Sequence, residues 1–176
     1  MKTLSLLALT LLLSAACAHQ PPPPSATATL EPTAGSTAHG TVRFDQLEGG
    51  SVMVKVDLMG VPPGMHGFHV HEHGSCAENA NAAGGHFNPN DSPHAGPDHP
   101  IRHAGDFGNV EADDKGEVHT SFTIDEITVA PGTNSVVGHA VVLHGKADDL
   151  MTQPAGNSGP RIACGVVELI PAGPRP

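Results

Sequence analysis

Histidines crowd into one stretch of this chain. Eight of its thirteen histidines lie between residues 66 and 106, and the stretch closes on a single aspartate. Neutral imidazole is a good ligand for zinc and copper, and a carboxylate oxygen suits zinc. A solvated histidine-rich loop would leave this crowding unexplained, so the composition favours a metal site. The residues of the stretch are His66, His69, His71, His73, His86, His94, His99, His103 and Asp106.

The first part of the stretch has the pattern of a β-strand. Residues 67–73 read GFHVHEH, in which polar and apolar positions alternate strictly. On a strand, the three histidines of this run point to one face, and Phe68 and Val70 point to the other. Side chains two positions apart on a strand have Cα atoms about 7 Å apart. Two imidazoles of this run are therefore close enough to bind one ion.

The second part, residues 74–105, has the composition of a long loop. Its many glycines, prolines, asparagines and aspartates disfavour both helix and strand. A loop of this length is uncommon in a compact domain unless it is functional or held in place. Cys76 and the histidines are the residues that could hold it.

The remaining apolar segments indicate β structure. Residues 51–58 and 118–124 alternate between apolar and polar side chains, and residues 136–143 and 161–170 supply two further predicted strands. No segment shows a convincing helical period. Many short strands joined by Gly/Pro turns predict an all-β, antiparallel sandwich or barrel. Without Trp or Tyr, its core must consist of Val, Ile, Leu and Phe.

The N-terminus is typical of an export signal. Residues 1–17 contain a basic start, an apolar run too short to cross a bilayer, and small residues before Cys17. This ending resembles the lipobox of bacterial lipoproteins, which predicts lipidation at Cys17. Cleavage after Ala16 or Ala18 without a lipid is the alternative. Removal of Cys17 from the count leaves two cysteines, an even number that suits an oxidising compartment.

The composition divides the rest of the chain into three parts. Residues 18–38, rich in Pro, Ala and Thr, are predicted to form a disordered tether. Residues 39–172 are predicted to be the folded domain, and residues 173–176 a C-terminal tail.

Five motifs together resemble the copper/zinc superoxide dismutase family. They are GFHVHE, GGHFNP, HAGDFGN, HGKADD and RIACGVVE, in the family's order and at its spacings, and the resemblance spans about residues 41–170. It implies an eight-stranded antiparallel Greek-key β-barrel with long metal-binding and active-site loops. It also implies one copper and one zinc per subunit. The activity would be dismutation of superoxide to O2 and hydrogen peroxide outside the cytoplasm.

The resemblance also implies a role for individual residues. His86 would bridge the two metals through an imidazolate, Arg161 would attract and orient the anion, and Asp148 would hydrogen-bond one ligand of each metal. His66 would be a buried structural histidine beside the site, and Cys76 would pair with Cys164. The copper ligands would be His69, His71, His86 and His144. The zinc ligands would be His86, His94, His103 and Asp106.

Several functional questions have more than one answer at this level. A non-catalytic relative that sequesters or delivers copper and zinc is the main alternative, and a copper-only dismutase is a second one. The expected partner is the superoxide anion, with no nucleic acid and with membrane contact only through a lipid at Cys17. A homodimer remains open. The net charge of −10 opposes an anionic substrate. Attraction must therefore be local, from the metals, Arg161 and Lys146.

Overall fold

The structure is a computed structural model, and it describes residues 22–171. The predicted signal, Cys17 and the predicted tail lie outside these residues. The strands are β1 (Ser25–Pro32), β2 (His39–Gln46), β3 (Val52–Met59), β4 (Gly64–His71), β5 (Asp106–Ala112), β6 (Val118–Ile124), β7 (Ala140–His144), β8 (Arg161–Val166) and β9 (Glu168–Leu169). A short 3-10 helix over Asn81–Ala83 lies in the loop between β4 and β5.

The strands form an antiparallel sheet that closes almost completely into a barrel. Its order is β5-β4-β7-β8-β1-β2-β3-β6, and β9 pairs with β1. The two end strands, β5 and β6, lie beside each other. The connection from β3 to β4 and the return from β6 to β7 each cross to a non-adjacent position, as in a Greek key. The predicted fold class is therefore confirmed.

Strict alternation correctly predicted two of the strands. The apolar residues of β3 at positions 52, 54, 56 and 58 are fully buried, and β6 coincides with the predicted segment 118–124. The other two predictions were less accurate. The run at 136–143 becomes a strand only from Ala140, and the run at 161–170 is divided between β8 and β9.

The predicted tether contains a strand of the barrel. β1 lies between β2 and β8, so the prediction of disorder is wrong for residues 25–38, and the folded domain begins well before residue 39. Ala26, Ala28 and Leu30 are fully buried. They alternate with Ser25, Thr27 and Thr29, a period-2 pattern of small residues that is easily overlooked beside a run of prolines.

A disulfide holds the long loop after β4 against the barrel. Cys76 in that loop is bonded to Cys164 on β8, which confirms the predicted pair. The two cysteines are 88 residues apart. In the chain-entropy model, closing a loop of this length stabilises the fold by roughly 4–5 kcal/mol.

Truncation of a side chain on β1 tests whether this segment belongs to the core. Leu30→Ala should lower the free energy of unfolding by about 2–5 kcal/mol, because the side chain is fully buried. The exposed neighbour Thr29 provides the control, and Thr29→Ala should change stability by less than about 1 kcal/mol. Urea unfolding with the disulfide intact measures both. Equal, small effects would mean that the segment is a tether after all.

Candidate metal centre

Strand β4 presents two histidines to the outside of the barrel. Phe68 and Val70 are buried in the barrel core, and the intervening His69 and His71 lie beneath the loops on the other face. The predicted alternation is therefore present. His73 lies beyond the end of the strand, with its Nε2 atom 3.4 Å from Glu72 Oε1 and its side chain largely exposed.

Two further histidines complete a first group of ligands. His86 joins β4 through an isolated bridge to His71, and His144 ends β7, the strand that pairs with β4. Each ring of this group offers a nitrogen, and these nitrogens all lie within 4.8 Å of one another. The structure thus brings together the four residues predicted to bind copper, which we call the copper group: His69, His71, His86 and His144.

A second group of ligands shares His86 with the first. The carboxylate of Asp106, the first residue of β5, lies at its centre. Its Oδ1 atom is 2.7 Å from His86 Nδ1 and 3.2 Å from His103 Nδ1, and its Oδ2 atom is 3.0 Å from His94 Nδ1. All four residues are buried. They are the predicted zinc ligands, which we call the zinc group: His86, His94, His103 and Asp106.

The hydrogen bonds leave one nitrogen of each ring in the first group directed at a common centre. His69 Nε2 bonds to Asp148 and His71 Nδ1 bonds to the carbonyl of Gly84. This leaves the lone pairs of His69 Nδ1 and His71 Nε2 available to a metal ion. His71 Nε2 is 3.3 Å from His144 Nε2. His69 Nδ1 and His86 Nε2 are buried without any hydrogen-bond partner. Buried polar atoms are almost always satisfied, so orphaned nitrogens in one group are typical of ligands to a metal ion.

The same test applies to the second group. His94 Nδ1 lies 3.0 Å from Asp106 Oδ2, yet the geometry of that contact is not that of a hydrogen bond. Two atoms that approach each other in this way are arranged like neighbouring ligands of one ion. Three imidazole nitrogens and one carboxylate oxygen form a donor set typical of zinc. Four imidazoles suit copper.

Asp148 connects the two groups. Its Oδ2 atom is 2.8 Å from His69 Nε2 and its Oδ1 atom is 3.0 Å from His94 Nε2. The side-chain amide of Asn109 pairs with both main-chain groups of Asp148. Gly156 packs over this contact with φ of +65°, and a Cβ atom there would collide with the Asp148 carboxylate. The predicted role of Asp148 thus has the required geometry.

The pKa shifts of the first group favour metal binding. Burial lowers the pKa of His86 to about 4 and that of His144 to about 3, and it also lowers the pKa values of His69 and His71. These rings are neutral at pH 7 and offer their lone pairs. His94 differs. Burial lowers its pKa, but the nearby carboxylates of Asp106 and Asp148 outweigh that effect and raise it to about 9. A zinc ion would replace the proton that His94 otherwise holds.

Arg161 lines a cavity of about 550 Å³ beside the first group. His144, Lys146, Gln153 and Asn157 are among the other lining residues, and no carboxylate is among them. The guanidinium donates to the carbonyls of Ala80 and Gly84, both at 2.5 Å. Arg161 has no carboxylate partner within residues 22–171. Its positive charge is therefore free to bind an anion in the cavity.

The other predicted residues have structural positions. His66 is buried, with Nδ1 2.8 Å from the carbonyl of His144 and Nε2 2.7 Å from that of Pro62. Its predicted position beside the site is present. His99 is exposed and contacts the main chain of Ile101. It takes no part in either ligand group.

One ion pair beside the zinc group was not predicted. Arg102 precedes His103 and is buried, with Nη2 2.5 Å from Glu126 Oε2 and Nη1 2.9 Å from the carbonyl of His99. It ties the loop that carries His103 to the segment after β6. In the sequence, only the position of Arg102 next to His103 indicated a role near the site, because the partner carboxylate of Glu126 is 24 residues away.

Comparison with known proteins agrees with this geometry. The family described as "Copper/zinc superoxide dismutase (SODC)" matches residues 38–167. A solved structure described as "Crystal Structure Analysis of the clock protein EA4" is similar to the chain at 37% sequence identity, with a TM-score of 0.76. The match covers 86% of this chain and 98% of that one.

Removal of the Asp148 carboxylate should loosen both metal groups at once. Asp148→Ala is expected to weaken metal retention by roughly 10–100-fold, because it frees one ring of each group. Competition with a chelator, followed separately for copper and zinc, measures the effect. The exposed Asp114, in the turn between β5 and β6 and away from both groups, supplies the control Asp114→Ala. Equal retention in the two variants would contradict the bridging role.

Proposed function

The chain belongs to the copper/zinc superoxide dismutase family, and we propose that it catalyses the dismutation of superoxide. Two superoxide anions and two protons would give one O2 and one hydrogen peroxide. The observation that carries the proposal is the complete pair of ligand groups that share His86, with Arg161 at the adjoining cavity. The similar solved structure is described as that of a clock protein, and this description names no superoxide dismutase activity. The proposal of catalysis therefore rests on the site and the family.

The metals would supply the redox chemistry, and residues of the chain would supply proton transfer. When bound, copper supplies the redox change by which one superoxide is oxidised and the next reduced, and zinc orients and polarises the shared ring. His86 directs Nε2 to the copper group and Nδ1 to the zinc group. Its ring can hold a proton at Nε2 in one half of the cycle and deliver it to the reduced product in the other. The Asp106 carboxylate, 2.7 Å from His86 Nδ1, would bind the same zinc ion and so keep that ion beside the ring.

Arg161 would bind and orient the substrate. Two of its N–H groups hold the loop after β4 through Ala80 and Gly84, and the remaining N–H groups are available to the cavity. The carbonyl of Gly84 also accepts from His71 Nδ1. The guanidinium is thereby held in a fixed position relative to a copper ligand. A fixed donor loses little entropy when it binds a small anion.

Lys146 would add to the local attraction. Its aliphatic stem packs over Gly159, and its ammonium forms no ion pair within residues 22–171. Residues 150–160, which form much of the cavity wall, carry no charge. The positive field in the cavity would therefore come from Lys146, Arg161 and the bound metals.

The location would be outside the cytoplasm. The Cys76–Cys164 disulfide is typical of proteins that fold in an oxidising compartment. Within residues 22–171, the structure contains no helix long and apolar enough to cross a membrane. We further propose that residues 1–17 direct export to the periplasm or cell envelope and that Cys17 is lipidated. The link from Cys17 to β1 would then comprise only residues 18–24.

Activity of the metallated protein tests the proposed function. Protein with one copper and one zinc should consume superoxide well above the rate given by the same amount of free copper. Arg161→Ala should lower this rate by roughly 10–100-fold, since a hydrogen bond to a charged group contributes about 1.5–3 kcal/mol. Metal analysis should show both ions retained, because Arg161 belongs to neither ligand group. Arg161→Lys separates the effect of charge from that of the two carbonyl contacts.

Two outcomes would lead to a different conclusion. Fully metallated protein with no activity above free copper would exclude catalysis and favour a protein that sequesters or delivers the metals. Loss of copper from Arg161→Ala would show that the residue holds the copper ligands in place rather than binding the substrate.

Mass spectrometry of the N-terminal peptide tests the anchor. The mature chain should begin at an acylated Cys17 and fractionate with membranes, since each buried CH2 contributes about 0.8 kcal/mol. Cys17→Ser should release the protein to the soluble fraction with its activity unchanged. An unmodified native peptide that starts at Cys17, Ala18 or His19 would exclude the anchor and leave the catalytic proposal intact.

A further inference from the structure

The side-chain amide of Gln153 pairs with the main chain of His94. His94 N–H donates to Gln153 Oε1 at 2.8 Å, and Gln153 Nε2 donates to the carbonyl of His94 at 2.7 Å. The amide thus imitates a neighbouring strand, because it satisfies both main-chain groups of one residue. Within residues 22–171, neither group of His94 has another hydrogen-bond partner.

The residue held in this way is a member of the zinc group. His94 is 2% exposed, and a main-chain group that is buried without a partner is costly. Its ring directs Nδ1 to the zinc group and Nε2 to Asp148. Asp148 therefore fixes the far side of the ring, and Gln153 fixes the backbone that carries it. Together these contacts determine where Nδ1 points.

Gln153 also belongs to the wall of the cavity. It lines the cavity together with His144 and Arg161. The loop that carries it is held by its own main chain, through Asp149 N to Gly156 O at 2.9 Å and Gly156 N to Thr152 O at 2.7 Å. The amide of Gln153 also donates to the carbonyl of Met151 at 3.4 Å, within the same loop. One side chain thus connects a self-supporting loop to a zinc ligand 59 residues away in sequence.

We propose that Gln153 is a positioning residue that holds His94 in place for the zinc group and ties it to the cavity wall. It acts through His94 and touches no reacting atom. The inference rests on the proposed function for the identity of the metal. It does not depend on turnover. Loss of the amide would let the His94 backbone move, so that zinc would leave more readily while the copper group would keep all four of its rings.

Zinc release from the metallated protein tests this role. Gln153→Ala should release zinc to a chelator roughly 10–100-fold faster than the unaltered protein, as losses around a ligand commonly do. Copper release should change less than twofold. Cobalt bound in place of zinc should show a shifted visible absorption spectrum, because that spectrum reports the ligand geometry. None of these measurements uses superoxide, so an inactive protein would still give a result.

Asn157 supplies a matched control. Its side-chain amide lies on the same loop and bonds to Asp149 Oδ2 and Thr152 Oγ1, both at 3.1 Å, without contact to His94. Its φ of +53° suits glycine, so Asn157→Gly removes an amide without straining the backbone. This variant should release zinc within about twofold of the unaltered protein.

A second variant isolates the donated hydrogen bond. Gln153→Glu keeps the size and one acceptor oxygen but places a second oxygen against the His94 carbonyl, so its zinc release should also be faster. Three results would overturn the proposal. They are equal zinc release from Gln153→Ala and Asn157→Gly, equal acceleration of copper and zinc release, and zinc release from Gln153→Glu at the rate of the unaltered protein.

Discussion

The whole site depends on one shared carboxylate. Asp148 fixes His69 by one oxygen and His94 by the other, and so joins a ring of the copper group to a ring of the zinc group. A buried carboxylate is costly unless it is hydrogen-bonded, and Asp148 also accepts from the main-chain N–H of Leu150. Because the far nitrogen of each ring is occupied, the near nitrogen is left to bind a metal. The hydrogen bonds that stabilise the carboxylate are the same ones that orient the ligands.

This arrangement constrains the loop that follows β7. The chain must pass directly over the carboxylate, and only glycine at position 156 permits that approach. The loop then returns to β8 through main-chain bonds from Gly145 to Pro160 and from Lys146 to Ser158. A loop held so closely to Asp148 forms a cavity wall from its own backbone and from uncharged side chains. The two cations that line the cavity, Lys146 and Arg161, flank this loop in the sequence.

The sequence predicted the site better than it predicted the start of the fold. Asp148 and every ligand except His94 lie within short motifs, so their identities could be read locally, whereas His94 was indicated only by its spacing from His86 and His103. The strict alternation of β3 and β6 reflects one face in the core and one in solvent. The sequence did not predict β1 because the buried residues of this strand are mostly alanine. Its burial depends on pairing with β2 and with β8, which is far along the chain. The contacts of Gln153 and Arg102 were not predicted for a similar reason. Each depends on a partner that only the folded barrel brings near.

The negative net charge of the chain is compatible with an anionic substrate because charge acts locally. At physiological ionic strength, salt screens exposed charges beyond about 8 Å. The cavity is lined by Lys146 and Arg161 and by no carboxylate. The acidic residues Glu111, Asp113 and Glu117 line a different groove beside β5 and β6, which shares no residue with the cavity. An anion in the cavity would therefore be attracted by these two cations and by any metal ions that the two ligand groups hold.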